Sequence, residues 1–568
     1  MAPRSRPKSG RVLVLCALPY TNAVPHVGNL VGSHLPADIF ARYCRLRGLE
    51  TVFIGGTDEN GTPTEVAALE LGITPRQLTD VLFEVQKGIY SWFEISYDNF
   101  SRTSREIHHR TTQEFFLKIH KNGYVSEGVL RLPYCEKDRI FLPDRYVQGT
   151  CPVCGYKFAR GDQCENCSTL LDPIQLIDPK CKVDGSVPVF KDSKQLFLEL
   201  GKVQGELQRW IRSKKEWKSQ VTSLALGWIK EGLKKRSITR DLRWGVPVPI
   251  EGYRDKVFYV WFDAPIGYIS STKEWAEGKG KPNEWKKFWL EGDVKIYNFL
   301  GKDNIPFHTI FWPGMLMAHG GIDLPYDVVG MQFCNYEGDK ISKSRGWGVF
   351  CESVPEVGLD PDVWRYYLIQ LIPETRDTEF KWDEFQSKVN NELVANIGNF
   401  VHRTTTFAWN YFGGEVKGGN PSDGADFMHR ALENCDEVGR LMDQVDIRDA
   451  MSKILAIADL GNGFFQRSQP WKLIKEDKEA CEQVIYSCLE VSRKLAILLQ
   501  PFLPGSSRKI LATLGTPEAG WEDIRKIPRG FKVASKPEIP FKRLEDEHLE
   551  KARKLATRSR SVKEYFGG

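Results

Sequence analysis

The sequence of 568 residues lacks features that mark several special classes of protein. It has no run of about eighteen apolar residues, so no membrane-spanning helix and no membrane partner are predicted. The basic N-terminus (residues 1–10) leads straight into an apolar run and lacks a signal region, so we expect a cytoplasmic protein, with cytosolic and organellar use both open. The net charge of +5 is too small to indicate nucleic-acid binding by itself.

Few of the 13 cysteines stand close to another cysteine in the sequence. Four cysteines lie close together and most others stand singly in apolar runs, which favours a reducing compartment over a disulfide framework. At this length we expect several domains with ample cores.

The most informative stretch lies near the N-terminus. Residues 12–18 predict a buried, parallel strand that ends at Pro19. A short loop then leads into a helix predicted to begin near His26, and the free N–H groups of a helix start attract phosphate. Gly28 leaves room for a flat group against the backbone. Alternatively, His26 and Asn29 only cap the helix.

A second segment has the composition of a mobile phosphate-binding loop. Lys340 and Lys343 stand three positions apart in Lys-Ile-Ser-Lys-Ser, after a glycine-containing loop. Two ammonium groups on such a loop suit a triphosphate that gains charge as it reacts, although most such runs are solvated loops or modification sites. Paired with His-Val-Gly-Asn at residues 26–29, the segment resembles the two signature motifs of class I aminoacyl-tRNA synthetases.

Three more strands are predicted at 51–56, 257–261 and 296–300. Ligands of open α/β sheets bind beyond the carboxyl ends of strands, so Asp58 is a candidate for holding a substrate ammonium, or else only caps the next helix. The sheet is therefore predicted to be split, with one half before residue 120 and the other at about 245–345.

The region between the two halves contains two pairs of cysteines, each pair two residues apart: Cys151, Cys154, Cys164 and Cys167. Four thiolates satisfy tetrahedral Zn²⁺ and leave no open position, so we predict one structural zinc rather than two metal-free hairpins. The flanking segments repeat the spacing with aspartate as the second member: Cys135, Asp138, Cys181 and Asp184. We expect this degenerate knuckle to be empty or weak, with its occupancy open, because soft ligands are missing.

Beyond Pro361 helical periodicity dominates to about residue 510, and a last amphipathic helix is expected to pack back on the body. Asn399 and Arg403 belong to a polar stripe on one predicted helix. Such a stripe is normally a solvated face, but Asn and Arg also read base edges, and unpaired bases stack on aromatic residues such as Trp471.

Five stretches are similar to the methionyl-tRNA synthetase family, in its order and spacing: residues 17–20, 56–62, 259–268, 301–303 and 340–345. The resemblance covers nearly the whole chain after residue 10, as a eukaryotic, cytosolic-like core. Asn29 replaces a histidine common in bacterial members but keeps a hydrogen-bond donor, and Ile341 replaces a methionine as a packing change. Neither departure puts activity in doubt.

The resemblance implies a role for each matched residue. The catalytic residues would be His26, Asn29, Lys340 and Lys343. ATP would be bound by Tyr20, His26, Gly28, Asn29, Arg240, Gly301, Asp303 and Lys343. Methionine would be bound by Leu18, Tyr20, Asp58, Trp261, Ala264, Pro265, Tyr268, Asn304 and His308. The tRNA anticodon would be read by Asn399, Arg403 and Trp471, and zinc would be held by Cys151, Cys154, Cys164 and Cys167.

The expected fold is α/β: a split Rossmann-like parallel sheet (11–120 and 245–345) with a zinc-knuckle insertion (121–244). A stem (346–389), an α-helical bundle that binds the anticodon (390–540) and a C-terminal helix (541–568) would follow. The expected activity is ligation of L-methionine to initiator and elongator tRNA(Met) with ATP, Mg²⁺ accompanying the ATP, in a monomer. An insertion of this size is too short for an editing domain, which favours methionine over branched-chain amino acids.

Two alternatives stay open. The first is another class I ligase, for cysteine or a branched-chain amino acid, which amino-acid-dependent pyrophosphate exchange would reveal. The second is a silent tRNA-binding protein of the same fold, which would bind tRNA without exchange. The sequence also leaves open the oligomeric state and whether an appended C-terminal tRNA-binding domain has been removed.

Overall fold

The computed structural model describes residues 10–137, 139–143, 146–161, 164, 166–167, 169, 171, 173–182, 184–343, 345–419, 424–558 and 560–566.

The centre of the catalytic region is a five-stranded parallel sheet in the order Asp327–Met331, Val294–Gly301, Arg11–Cys16, Glu50–Thr57 and Asn99–Arg102. The first strand of the chain lies in the middle because residues 12–16 are apolar and are buried on both faces. The strand order reverses beside it, which is where open α/β sheets bind ligands. The predicted split sheet is confirmed, since three strands precede the insertion and two come after it.

Helices cover both faces of this sheet: Val27–Asn29, Leu35–Leu46, Thr62–Leu71, Pro75–Trp92, Glu106–Lys121, Val260–Asp263, Gly267–Gly278, Lys286–Trp289 and Trp312–His319. Their ends follow the local sequence. Thr74 caps Pro75–Trp92 through a capping box with Gln77, and Gly72 ends Thr62–Leu71 in the left-handed conformation at φ 67°. Two segments that lead into helices, Leu30–His34 and Phe307–Phe311, are π-helical.

The prediction of a core strand over residues 257–261 is wrong. Val257–Phe258 is a two-residue strand paired with Thr239–Arg240, outside the central sheet, and the chain enters the helix Val260–Asp263 directly afterwards. Val257, Phe258 and Val260 are buried, and a short apolar run of this kind does not distinguish a strand from a buried helix.

Among its described residues, the insertion contains two small antiparallel sheets, two α-helices and the short 3-10 helices Pro173–Gln175 and Leu200–Val203. Its four-stranded sheet contains Arg236–Ser237, Val189–Leu198, Val125–Cys135 and Ile140–Phe141. Its three-stranded sheet contains Ala159–Arg160, Val147–Thr150 and Ile177–Cys181. The α-helices are Gln204–Ser213 and Ser219–Glu231.

The rest of the chain is mainly helical, as predicted. Thr378–Phe380 pairs in parallel with Cys334–Tyr336, and the helices of this part begin with Pro361–Gln370, Trp382–Lys388 and the π-helical Val389–Gly398. The bundle contains Asn399–Phe412, Ala425–Asp443, Ile447–Ser468, Pro470–Glu476, Lys478–Leu499 and Pro504–Thr513, with the strands Glu415–Lys417 and Gly530–Lys532. The last long helix, Asp546–Ala556, packs back: the Phe350 N–H donates to the Ala556 carbonyl. None of the described helices is long and apolar enough to cross a bilayer.

Candidate active site

The two signature segments meet at the carboxyl edge of the sheet. The Val27 N–H donates to the Val349 carbonyl (3.0 Å), and the Cys351 N–H donates to the Pro25 carbonyl (3.1 Å). The loop that carries Lys340 and Lys343 is therefore fastened, through residues 349–351, to the turn before the first helix. Segments about 300 residues apart thus line one cavity.

His26 is the N-cap of the first helix and forms a capping box with Asn29. Its Nδ1 accepts from the Asn29 N–H (3.3 Å), and the Asn29 Oδ1 accepts from the His26 N–H (3.0 Å). Burial, helped by the nearby Lys343 ammonium, lowers the pKa of His26 to about 3, so the imidazole is neutral at pH 7. The capping alternative and the ligand-binding role are therefore compatible, because Nδ1 accepts the cap bond and His26 also lines the cavity.

Gly28 is required by close packing in this turn. A Cβ at this position would lie 3.0 Å from the His26 ring and 3.2 Å from the Ile341 Cδ1. A side chain would therefore push the two signature segments apart.

The cavity between these segments has a volume of about 540 Å³. It is lined by all but one of the residues to which the sequence assigned a catalytic, ATP-binding or methionine-binding role: Leu18, Tyr20, His26, Gly28, Asn29, Asp58, Trp261, Ala264, Pro265, Tyr268, Gly301, Asp303, Asn304, His308, Lys340 and Lys343. The exception is Arg240, which does not line it. The Arg240 guanidinium lies 3.7 Å from the centroid of the Tyr259 ring and donates to the Thr239 carbonyl.

One end of the cavity has a buried carboxylate. Asp58 is 4% exposed, and its Oδ1 accepts no hydrogen bond from any described residue. Burial, with the neighbouring Asp263 carboxylate, raises the pKa of Asp58 well above its usual range. Such a carboxylate is stabilised by a cation that enters the cavity, as a substrate ammonium would.

Neutral polar groups close the wall near Tyr268. The His308 Nδ1 faces the Asn304 carbonyl at 3.0 Å and must donate to it, so its Nε2 accepts from the Tyr268 hydroxyl at 2.8 Å. Burial lowers the pKa of His308 to about 4 and keeps the ring uncharged. At the mouth, the Trp261 Nε1–H donates to the Tyr20 hydroxyl (3.2 Å). This part of the cavity is aromatic and uncharged, which suits an apolar or thioether side chain.

The sequence missed a buried glutamine behind the signature turn. Gln86, on the helix Pro75–Trp92, is fully buried, lines the cavity and donates through Nε2 to the carbonyls of Tyr20 and Ala23, both at 3.3 Å. It also missed the cavity wall at residues 332–335. Neither belongs to a motif, and the one usable signal was a lone polar residue on the apolar face of a helix.

The four clustered cysteines come together in the insertion. Their Sγ atoms lie within 4.8 Å of one another, with 3.8 Å between Cys151 and Cys167 and 3.5 Å between Cys154 and Cys164. A tetrahedral Zn²⁺ with bonds of about 2.3 Å needs sulfur separations of about 3.8 Å. The donor set and its spacing therefore fit zinc.

The residues of the degenerate knuckle also lie close together, but hydrogen bonds connect them. The ligand atoms of Cys135, Cys181 and Asp184 lie within 4.8 Å of one another, whereas Asp138 lies outside the described residues. The Asp184 Oδ1 accepts from the N–H (3.0 Å) and the hydroxyl (2.7 Å) of Ser186, and the Cys135 Sγ donates to its Oδ2 (3.7 Å).

In the bundle, the three predicted anticodon residues lie on one surface. The Asn399 Nδ2 donates to the Asn462 Oδ1 (2.9 Å), and the Arg403 Nη2 lies 3.4 Å from the Gln466 Oε1. The Phe465 ring lies between Arg403, 4.5 Å from its centroid, and Trp471, 6.3 Å away between centroids. We call this set the bundle patch: Asn399, Arg403, Asn462, Phe465, Gln466 and Trp471.

Comparison with known proteins assigns the family. A family model described as tRNA synthetases class I (M) matches residues 12–405, and one described as the anticodon binding domain of methionyl tRNA ligase matches residues 417–560. The chain belongs to the methionyl-tRNA synthetases. Both signature segments of this synthetase lie within the first match, and Trp471 lies within the second.

Curated relatives match this synthetase over most of its length. The methionine–tRNA ligase of Pyrococcus furiosus is 45% identical over 95% of this chain and 76% of its own. That of Aeropyrum pernix is 41% identical over 97% of both chains. Among solved structures, Mycobacterium tuberculosis methionyl-tRNA synthetase in complex with methionyl-adenylate is 25% identical, with a TM-score of 0.78 over 93% of this chain and 99% of that one.

Proposed function

We propose that this synthetase is a methionine–tRNA ligase that forms methionyl-adenylate and pyrophosphate from L-methionine and ATP, and then transfers the methionyl group to the 3′ end of initiator and elongator tRNA(Met) with release of AMP. The proposal depends on one observation: the two signature segments meet at a cavity that has the buried carboxylate of Asp58, with an oxygen that accepts no hydrogen bond from the described residues, at one end.

Asp58 pairs with the α-ammonium of methionine in this mechanism. The incoming positive charge returns the carboxylate to its ionised form, because an opposite charge at short range lowers the pKa that burial has raised. The substrate thioether lies against the aromatic wall around Tyr268, with sulfur–aromatic contacts worth roughly 0.3–1.5 kcal/mol each. The methionine carboxylate then points towards the signature turn.

The ATP triphosphate lies between the turn at His26 and the loop of Lys340 and Lys343. A carboxylate oxygen of methionine attacks the α-phosphorus in line and forms a new oxygen–phosphorus bond. The bond between the α-phosphorus and the bridging oxygen of pyrophosphate breaks, and pyrophosphate leaves with that electron pair. No proton is abstracted, so positioning and charge stabilisation provide the catalysis. The neutral His26 donates from Nε2 to a phosphate oxygen, and Gly28 leaves room for the adenine.

Further components belong to this proposal. Mg²⁺ arrives with ATP, because Asp58 and Asp303 are the only carboxylates among the described cavity residues and cannot form an oxygen cage for it. In the insertion, the four cysteines hold one structural zinc. We also expect Asp303 and Gly301 to hold the ribose, and Arg240 to contact a phosphate after loop movement. The whole acts as a cytosolic monomer that uses the bundle patch to read the anticodon.

Amino-acid-dependent pyrophosphate exchange, followed by tRNA charging, tests the proposal. We expect exchange with methionine at least about 100-fold above that with cysteine, isoleucine, leucine or valine. Exchange with one of these instead would show a ligase of another specificity. No exchange with any amino acid, together with retained tRNA binding, would show a silent tRNA-binding protein.

Elemental zinc counting on the same sample tests the metal assignment. We expect about one zinc per chain, lost in Cys154→Ser and retained in Asp184→Ala, because only the first change removes a soft ligand from the four-thiolate set. A zinc content near two, reduced to one by Asp184→Ala, would contradict the single site.

A further inference from the structure

Glu374 belongs to neither the cavity nor the bundle patch, yet its carboxylate is buried, with the residue 7% exposed. Its Oε1 accepts from the N–H groups of Ile447 (2.7 Å) and Arg448 (3.4 Å). These are the first two residues of the helix Ile447–Ser468, whose own N-cap, Asp446, makes no side-chain cap bond. A residue from the stem therefore supplies the cap as a hydrogen-bond acceptor, while burial raises the pKa of its carboxyl to about 7.

The segment around Glu374 is fastened to the cavity wall. The Gln332 N–H donates to the Pro373 carbonyl (2.7 Å), and the Thr378 N–H donates to the Phe333 carbonyl (2.9 Å). Gln332 and Phe333 both line the cavity. A displacement of Glu374 would therefore act on cavity-lining backbone through two direct hydrogen bonds.

The insertion reaches the same point. The Gln220 Nε2 donates to the carbonyls of Glu374 (3.0 Å) and of Gly330 (3.1 Å) in the central sheet, and the Lys218 Nζ lies 3.3 Å from the Asp446 Oδ1. Four parts of the chain therefore meet at the N-terminus of the helix Ile447–Ser468: the central sheet, the insertion, the stem and the bundle.

The other end of that helix carries half of the bundle patch. Asn462, Phe465 and Gln466 lie on it and contact the three predicted anticodon residues. Phe465 lies 18 positions after Ile447, a distance of about 27 Å along the helix at about 1.5 Å per residue. A straight, hydrogen-bonded helix resists compression over this length, so a shift at the patch arrives at its N-terminus.

We propose that Glu374 is a positioning residue that couples occupancy of the bundle patch to the cavity wall, through the helix Ile447–Ser468. The inference rests on the proposed function, because it requires the patch to read an anticodon. With the cap intact, a bound anticodon biases the helix, and the segment 373–378 carries that bias to residues 332–335. Without the cap, the patch still binds tRNA, but the wall no longer responds. Coupling of this kind typically amounts to roughly 5–150-fold in an equilibrium or rate.

The test uses the full chain with Glu374→Ala and Glu374→Gln. Charging is measured with a tRNA(Met) transcript and with one that has a single anticodon base changed. We expect Glu374→Ala to lower the charging kcat about tenfold with KM for tRNA within about twofold, and to shrink the kcat ratio between the two transcripts by a similar factor. Glu374→Gln, which keeps an acceptor, should recover part of both effects. Pyrophosphate exchange should stay within about twofold of wild type.

Asp360→Ala is the matched control, because it removes a side-chain cap from the neighbouring helix Pro361–Gln370, and the described partners of the Asp360 side chain, Asp362 and Lys509, lie outside Ile447–Ser468. It should leave the transcript ratio unchanged. Parallel loss of exchange and charging in Glu374→Ala would show a merely structural role and overturn the proposal, as would a lower kcat with an unchanged transcript ratio. Failure of the proposed function itself is distinguishable, since the wild type would then show no methionine-dependent exchange.

Discussion

The cavity at the edge of the central sheet and the bundle patch hold their polar groups in opposite ways. In the cavity, Asp58 keeps a buried oxygen without a donor among the described residues, and backbone hydrogen bonds at the strand ends fix its surroundings. In the patch, the side chains are paired with one another: Asn399 with Asn462, and Arg403 with Gln466. In the cavity, the Asp58 oxygen gains a partner when a ligand enters. In the patch, a ligand must replace hydrogen bonds that the side chains already make with one another.

This difference has an energetic consequence. A buried carboxylate without a partner forms an ion pair when a cationic ligand binds. Replacing that carboxylate by a neutral group therefore costs a large part of the binding free energy. A hydrogen bond that replaces another adds little net free energy, and shape and stacking must then supply the selectivity. Three substitutions test that contrast, from the largest expected effect to the smallest.

Asp58→Asn should nearly abolish adenylate formation. Loss of one partner of a buried ion pair costs about 3–5 kcal/mol, or roughly 10²–10⁴-fold in kcat/KM for methionine. Pyrophosphate exchange at varied methionine measures this, with KM for ATP as the internal control. A loss of kcat/KM smaller than about tenfold would show that the ammonium of methionine is bound elsewhere. The cavity would then not differ from the patch in having a buried charged group without a partner.

Trp471→Ala should affect charging but not exchange. Stacking of a base on an aromatic ring is worth about 1–3 kcal/mol, so charging at low tRNA should fall roughly 5–150-fold. Exchange should stay at the wild-type rate, because Trp471 does not line the cavity. Equal losses in both assays would mean that the patch supports the fold of the catalytic region, contrary to the separation of the two sites.

Gln466→Ala should have the smallest effect, and in the opposite direction. It removes the internal partner of Arg403 and leaves the Phe465 ring in place. Because the guanidinium then gives up one bond fewer on binding, the KM for tRNA should fall slightly, by at most about threefold. A rise in this KM beyond about fivefold would show that Gln466 itself contacts the RNA.

The sequence predicted those parts of the molecule that depend on local chemistry. The helix that begins near His26, the strand before Asp58 and the four-cysteine cluster each follow from residues within a short window, where spacing and turn preference decide the structure. The convergence of the two signature segments was predicted from their resemblance to a family, and the backbone contacts at Val349 and Cys351 now account for it.

Features that depend on tertiary packing were not predictable in this way. Gln86 reaches the signature turn from a helix more than 60 residues away, and Glu374 caps a helix 73 residues later. Side-chain to backbone bonds across such separations leave no periodic signal in the sequence. The strand wrongly predicted at 257–261 has a related origin, because a short apolar run has no periodicity that distinguishes a strand from a helix.

The π-helical turn Leu30–His34 makes the cavity sensitive to chain length at one point. A π turn accommodates one more residue than the α-helical turn that would otherwise continue into Leu35–Leu46. Removing Gly32 would close this wider turn to an α-helical one and draw the residues before it, among them Gly28 and Asn29, towards the helix Leu35–Leu46. His34 would keep its hydrogen bonds to Tyr90 and Tyr97, whereas the first signature segment would shift against the loop of Lys340 and Lys343, and a synthetase with an intact core would lose the shape of its cavity.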